Sequence, residues 1–439
     1  MGSKGSTVAP LQYSLLTHWE SFYYLSFTTR QLKARVLGLG KRIADRLTPT
    51  KMDAVYWELI FVGFSIMMGM SLPASFLPIL AESLDPSGVL VGLVVSAWFL
   101  SRIFLELPAG IISDRIGRRR LLIFGIALSC LGPILCSQAD NIWLLIIGRG
   151  IWGMGTAFYF MNNTALLMDI LPADTRGRAL GLFQGIEFVG SFIGAPIGAF
   201  LSVYMSYNQV FYFTLLLTLV SLAIAWRSGG MKRFESRGTQ RERTPLREII
   251  KAIGDRGILI ICLSTVLRML IMQGIFQTVF QLYLNQGLSL AVSTIGLILS
   301  ARIAGQVISL VSAGILSDKI GRIPVLVAGF VVCGFTLFAF TLTSSFLFLL
   351  LLGFVEGLGE GFGMTTLIAL LTDIAPPSVR GGVIGLYRTF QDIGGFAGPI
   401  LFMMLYNGFG AVSAFYLAAA VNVVNVGLIL AFKSKPKNG

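Results

Sequence analysis

The sequence is short of charge. Of its 439 residues only 13% are Asp, Glu, Lys or Arg, against 55% hydrophobic, and the mean hydropathy is +0.79. A soluble chain carries about 25% charged residues and needs them to cover its surface, so a soluble enzyme or binding module is excluded. Histidine is nearly missing. The single copy, His18, stands near the start of the chain, and no metal or cofactor site is expected. The four cysteines, Cys130, Cys136, Cys262 and Cys333, fall in or beside apolar segments with no CxxC or metal-ligand spacing, which implies neither a disulfide framework nor a metal cluster. With no HExxH and no GxSxG, an intramembrane enzyme lacks its usual chemistry.

Long apolar runs take the place of charge. Twelve of them, at 54–80, 89–113, 120–139, 142–168, 179–204, 207–227, 257–284, 289–316, 323–343, 345–372, 380–406 and 409–432, are each long enough to cross about 30 Å of hydrocarbon as a helix. The 50 glycines suit helices that approach closely in lipid. The expected fold is an all-α polytopic membrane protein of twelve transmembrane helices in two pseudo-symmetric halves of six. The expected organisation is a basic tail over 1–53, one half over 54–227, a linker over 228–256, the second half over 257–432 and a tail over 433–439. Within the linker Leu246, Ile249, Ile250 and Ile253 recur with helical period behind Thr244 and Pro245, the pattern of a short interfacial helix.

The net charge of +13 is placed by topology. The two tails and alternate connections hold 29 of the 34 Lys and Arg, whereas the other connections hold none and carry only Glu82, Asp85 and Asp140. Such asymmetry puts both termini in the cytoplasm and gives the basic charge a role other than nucleic-acid binding. No signal peptide is apparent in the first 50 residues, and a multi-pass protein of the cell membrane is expected.

The halves are repeats. At an offset of 204 residues, Gly92–Arg118 matches Gly296–Arg322 at 12 of 27 positions, and Asp169, Pro172, Arg176 and Gly177 match Asp373, Pro376, Arg380 and Gly381. Apolar bias would align leucines but not Asp, Arg, Gly and Pro in register. Parallel repeats of six spans are a transporter architecture with the substrate site between the halves.

The repeated segments carry motifs. Gly110, Asp114, Arg115, Gly117 and Arg118 lie between spans 2 and 3, and Gly314, Asp318, Gly321 and Arg322 repeat them in the second half. Glycine permits the tight turn, and the acid can pair with an arginine or a helix N-terminus as a breakable latch. This pair of segments resembles motif A of the major facilitator superfamily. The resemblance implies a rocker-switch transporter whose halves close alternately on each side. Span 4 around Arg149 resembles motif B, in which the arginine is associated with proton coupling, with Trp152 in place of the usual glutamine. Gly190, Gly194, Pro196 and Gly198 in span 5 resemble motif C of the antiporter branches, although the proline stands one residue late.

Ten ionisable residues lie well inside the spans: Arg102, Glu106, Arg149, Glu187, Arg268, Arg302, Glu356, Glu360, Arg388 and Asp392. Left unpaired they would cost on the order of 25–35 kcal/mol, more than a fold's net stability of about 5–15 kcal/mol, so they face one another or a wet cavity. The spacing pairs Arg102 with Glu106 and Arg388 with Asp392 on their own helices. Glu356 and Glu360, stacked on one face of span 10, are the leading proton-coupling candidates, followed by Glu187 and Asp392; the other reading makes these acids permanent counterions of Arg268, Arg302 and Arg388. Gln273, Gln277 and Gln281 at successive i, i+4 positions predict a polar ladder in span 7, joined by Arg302 and Gln306 in span 8. With Arg268, Arg388, Asn162 and Asn163 they make the expected cavity wall, to which Trp98, Trp152, Phe158, Tyr159 and Phe160 add aromatic surface.

The function expected is secondary active transport of a small molecule by alternating access. A single chain in the bilayer would use a proton gradient to export amphipathic compounds. The alternative is a proton-coupled symporter or exchanger of a polar or anionic solute.

Overall fold

The computed structural model describes residues 54–171, 176–233, 251, 254–376 and 379–432. The two tails and the predicted interfacial helix of the linker lie outside the described residues. Within them the chain is helical throughout, without strands.

The first half begins with α1 (Ala54–Ser71), continued by a 3-10 turn at Leu72–Ser75 and a short helix at Leu77–Leu84. It goes on through α2 (Gly88–Ile116), α3 (Arg118–Ser137), α4 (Ile142–Ile170), α5 (Arg176–Tyr204) and α6 (Tyr207–Arg227). The second half has α7 (Arg256–Gly274), α8 (Val292–Ile320), α9 (Arg322–Phe340) and α10 (Phe346–Ile374). The last two spans run together as one helical stretch, Arg380–Leu430, interrupted by non-helical backbone at Gly410, where φ is 82°. That break separates α11 (380–409) from α12 (411–430).

Local chemistry sets these boundaries. Asn141 caps α4 by accepting from Leu144 N at 3.0 Å, and Ser206 and Gln209 form a capping box on α6. Gly117 and Gly321 take φ of 100° and 94°, a region open to glycine, and turn α2 into α3 and α8 into α9. The offset of 204 residues read in the sequence maps α2 onto α8 and α4 onto α10 end to end.

Packing repeats as well. In the first half α1 packs on α5 and α6, α2 on α4, and α3 on α4 and α6; the second half repeats every one of these contacts. The halves meet through two equivalent seams, α2 against α11 and α5 against α8. Close approach relies on glycine: a Cβ on Gly190 would stand 2.6 Å from Phe64 O, Gly194 lies on Met68 O, and Gly198 lies on Leu72 O. Thus the span 5 glycines seat α5 on α1. Gly394 and Gly398 seat α11 on α7 in the same way. Outward, Phe104, Trp143, Tyr204, Trp226 and Phe335 are exposed, the surface a lipid-embedded helix bundle presents.

The apolar core shows which face is shut. One cluster joins both halves at the face of Asp85 and Asp140, where Phe76, Leu80 and Val95 pack with Phe276, Phe280, Phe402 and Phe415. Toward the opposite, arginine-rich face the cores are separate, one built around Tyr56 and Leu167 and another around Phe330 and Leu371. Polar bonds add to the seal. Gln286 donates to Glu82 across the halves, Tyr406 donates to Gln286 Oε1 at 3.2 Å, and Asn407 donates to Pro86 O at 3.1 Å. The bundle is closed on the acidic face and parted on the basic one.

Candidate functional site

Between the halves lie two adjoining chambers, each of about 290 Å³, which share Phe188, Met364 and Gln391 in their walls. The first chamber is walled by α1, α2, α4 and α5 of one half and by α10 and α11 of the other. Its polar groups are Arg102, Asn163, Thr164, Gln184, Glu187, Arg388 and Gln391, set among Trp98, Phe160, Phe183, Met67 and Met70. The second, deeper chamber carries Arg268, Gln277, Arg302 and Gln306 beside Phe276, Met269 and Met272.

Buried charge is paired across helices. Arg268 bonds Glu360 and Arg302 bonds Glu356, so α7 and α8 are both tied to α10. All four side chains are almost wholly buried, where the attraction between opposite charges is strong and an unpaired charge is costly. In this state Glu356 and Glu360 each serve one arginine as counterion. Cys333, Glu356 and Glu360 bring three ligand-type atoms within 4.8 Å of one another, but both carboxylates are already matched by arginine.

Arg102 bonds Glu106 as the spacing predicts and also reaches Asp392 Oδ2 of the other half at 3.4 Å, with its guanidinium 4.5 Å from the Trp98 ring centre. The predicted Arg388–Asp392 pair is thus replaced by a pair across the α2–α11 seam, which leaves Arg388 on the chamber wall. Glu187 stands apart. It is buried against Gly63 of α1, forms no ion pair among the described residues, and its Oε1 has no hydrogen-bond partner. Arg149 is buried too, donating from Nε to Val94 O at 3.3 Å beneath the Trp152 ring, away from both chambers.

The glutamine ladder is not continuous. Two π-helical turns, Ile275–Val279 and Tyr283–Gly287, extend α7 and add residues per turn, which rotates the three glutamines off a common face. Gln277 alone lines a chamber. Gln273 lines neither, and Gln281 is buried, donating to Phe276 O at 2.8 Å and to Ala74 O of the other half at 3.0 Å. Asn162 and Asn163 separate likewise, because neighbouring residues on a helix point about 100° apart. Asn163 lines the first chamber, whereas Asn162 accepts from Ser113 and donates to Phe158 O at 2.8 Å. Of the aromatic group, Trp98 and Phe160 line the chamber, while Trp152, Phe158 and Tyr159 are core.

A paired bundle around a central cavity is one form of transporter. Sequence comparison decides which. The family profile described as Major Facilitator Superfamily matches residues 59–280 and again 261–439. The chain belongs to the Major Facilitator Superfamily. It is a multi-pass membrane transporter for small molecules and not an enzyme, and it resembles the drug:proton antiporter branch. It is similar to multidrug resistance protein MdtG of Salmonella arizonae, 25% identical over 369 residues that cover 82% of this chain and 89% of that protein. It is also similar to multidrug resistance protein 1 of Bacillus subtilis, 23% identical with 85% and 94% covered. In fold it resembles the crystal structure of a D-xylose-proton symporter, with a TM-score of 0.73, 16% identity, and 88% of this chain and 98% of that chain covered.

The superfamily's motif A residues sit at the basic face of the transporter. Gly110, Asp114 and Arg115 lie in the last turns of α2, and Gly314 in the matching part of α8. Arg118 pairs with Asp169 of α4, and Arg322 pairs with Asp373 of α10 at 3.1 Å, the same contact at the same offset. Asp318 bonds Arg322 of its own half at 2.7 Å and is largely exposed, so it does not latch the halves together in this state. Pro196 lies within the unbroken α5.

The repeat register matches Asp169 with Asp373 but does not give their partners, Arg118 and Arg322. Sequence reasoning passed over Gln184 and Gln391. Each stands three residues from a named charge, Glu187 or Arg388, and so shares its helix face; that spacing was the signal available.

Proposed function

We propose that this transporter exports small amphipathic compounds in exchange for protons, acting as a single chain in the cell membrane with no cofactor. The basic face, with both termini, is read as cytoplasmic, so the parted cavity opens inward in this state. The observation that carries the reading is Glu187, a buried carboxyl on the cavity wall that forms no ion pair among the described residues, with Arg388 on the same wall. A cationic group of a substrate and a proton would compete for it, and competition for one carboxylate is sufficient for exchange. The multidrug resistance names of the two relatives point the same way. Glu356, Glu360 and Asp392 would each have to release an arginine before taking a proton, which places them second. Arg149 would support α2 from α4 without handling the proton.

Outward opening would break the Phe76–Phe280 cluster and close the basic face. Asp114 and Asp318 would then latch that face across the halves. In proteoliposomes with a trapped pH dye and an imposed gradient, a cationic amphipath should drive proton flux opposite to its own movement, and Glu187→Gln should abolish it. Undiminished flux in Glu187→Gln refutes the assignment. A second reading, symport of an anionic solute, is favoured by Arg268 and Arg302 on the deep chamber wall; proton flux in the same direction as the compound would establish it.

A further inference from the structure

The deep chamber offers donors and no acid. Arg268, Arg302, Gln277, Gln306 and Gln391 line it, and no Asp or Glu does among the described residues. Glu356 and Glu360 lie behind the guanidiniums on a separate void of about 10 Å³. A guanidinium has five N–H donors, more than one carboxylate can accept. Arg268 is 4% exposed, its Nε has no acceptor, and its Nη2 reaches only Met269 Sδ at 3.4 Å. Gln306, also 4% exposed, donates only to Met364 Sδ at 3.7 Å. The Arg268 Nη2 and Gln306 donors thus meet only sulfur, a weak acceptor, and an oxygen anion arriving in the cavity would give them a stronger one. Phe276 lies 4.3 Å from the Arg302 guanidinium, on the ring's face, and with Met269 and Met272 supplies apolar wall beside the donors.

The first chamber differs in having an acid on its wall: Glu187 lies there among aromatic rings, with Arg102, already paired to Glu106 and Asp392, and Arg388 on the same wall. Resting on the transport reading above, we infer that the deep chamber is an oxyanion site: it takes the carboxylate of the substrate between Arg268 and the Gln277 and Gln306 amides, while an amine on the same molecule lies toward Glu187. The substrate class is therefore narrowed from amphipathic compounds in general to amphipathic zwitterions and carboxylates. Arg268 is then shared between Glu360 and the substrate, a charge-assisted arrangement that a neutral ligand group would not match.

Three probes with one common ring system test this on the purified full-length protein by equilibrium dialysis: 3-(2-naphthyl)alanine, 2-(2-naphthyl)ethylamine and 3-(2-naphthyl)propionate. The zwitterion should bind more tightly than the amine by about tenfold, the worth of one hydrogen bond to a charged group. Gln277→Leu and Gln306→Leu should weaken both carboxylate probes and leave the amine unchanged. The charge-balanced double variant Arg268→Gln/Glu360→Gln, which leaves no buried ion unpaired, should do the same more strongly. The inference is overturned if the amine binds most tightly, if the variants weaken all three probes alike, or if none binds. Proton-dye flux separates this from the exchange reading. Carboxylate-selective binding without substrate-driven proton flux leaves the oxyanion site standing and removes the exchange, whereas proton exchange by the amine alone does the reverse.

Discussion

The two halves share a scaffold and differ in what they bury. At the offset of 204 residues the positions of Arg268, Arg302, Glu356 and Glu360 are held in the first half by Phe64, Trp98, Trp152 and Thr156. One half therefore uses rings and a hydroxyl where the other uses two cross-helix ion pairs. The basic-face pairs Arg118–Asp169 and Arg322–Asp373, by contrast, are identical in both. Duplication has kept the turns, the glycine contacts and the end pairs that make each half fold, and the interior has diverged to make one cavity with two chemically distinct ends. Glu187 and Gln391, related by the same offset, complete the contrast: a carboxylate on one side and its neutral amide counterpart on the other.

The ion pairs offer the hardest test of that contrast. Glu360→Gln leaves Arg268 buried without its partner and should destabilise the protein by about 3–5 kcal/mol, read as a loss of monodisperse protein on heating. Arg268→Gln/Glu360→Gln should recover most of that loss. A double variant no better than the single would mean that the second half does not depend on paired charge. Next in size is the acid. Moving it by symmetry in Glu187→Gln/Gln391→Glu should restore part of the pH-driven transport that Glu187→Gln loses, a loss expected to exceed about tenfold (roughly 1.4 kcal/mol). Failure to restore any flux would show that the acid works only from the aromatic half.

Glycine sharpens the shared part of the comparison. Gly194→Val should overpack the α1–α5 contact and cost about 1–3 kcal/mol, and Gly398→Val should cost a similar amount in the other half, both by thermal melting. Gly181→Ala and Gly385→Ala, which meet open space, should change little. The smallest effect is expected at the acidic face, outside the spans. Burial holds the Glu82 carboxyl above its ordinary range, partly offset by the bond from Gln286. Because the closed face binds the proton more tightly than an open, hydrated one would, closure is favoured at low pH and weakens as pH rises through the Glu82 titration. Glu82→Gln should remove that pH dependence from the labelling of a cysteine placed at the closed face, at a cost of about 0.5–1.5 kcal/mol for one half-exposed hydrogen bond.

Much of the fold was legible in residue order. Span positions, the two-fold repeat and the turns at Gly117 and Gly321 follow from apolar length, from register at one offset, and from a residue able to take positive φ. The site was legible only in part. The charged positions were identified as a set, but their partners were not, because spacing reports neighbours on one helix. Arg102 finds Asp392 from across the seam, and no periodicity encodes that. The ladder of Gln273, Gln277 and Gln281 fails for a related reason: i, i+4 spacing implies a common face only in regular α-helix, and two π turns break that condition.

By itself the sequence determined that this chain lies in a membrane, how many times it crosses, and that its halves are copies, because hydrocarbon thickness and repeated motifs act along the chain. Tertiary structure decided which arginine each paired carboxyl meets, that one chamber has an acid on its wall and the other has none among the described residues, and that the acidic face is the one closed. Those are distances between residues as much as 321 apart in sequence, as for Asn407 and Pro86, and only packing brings such groups together.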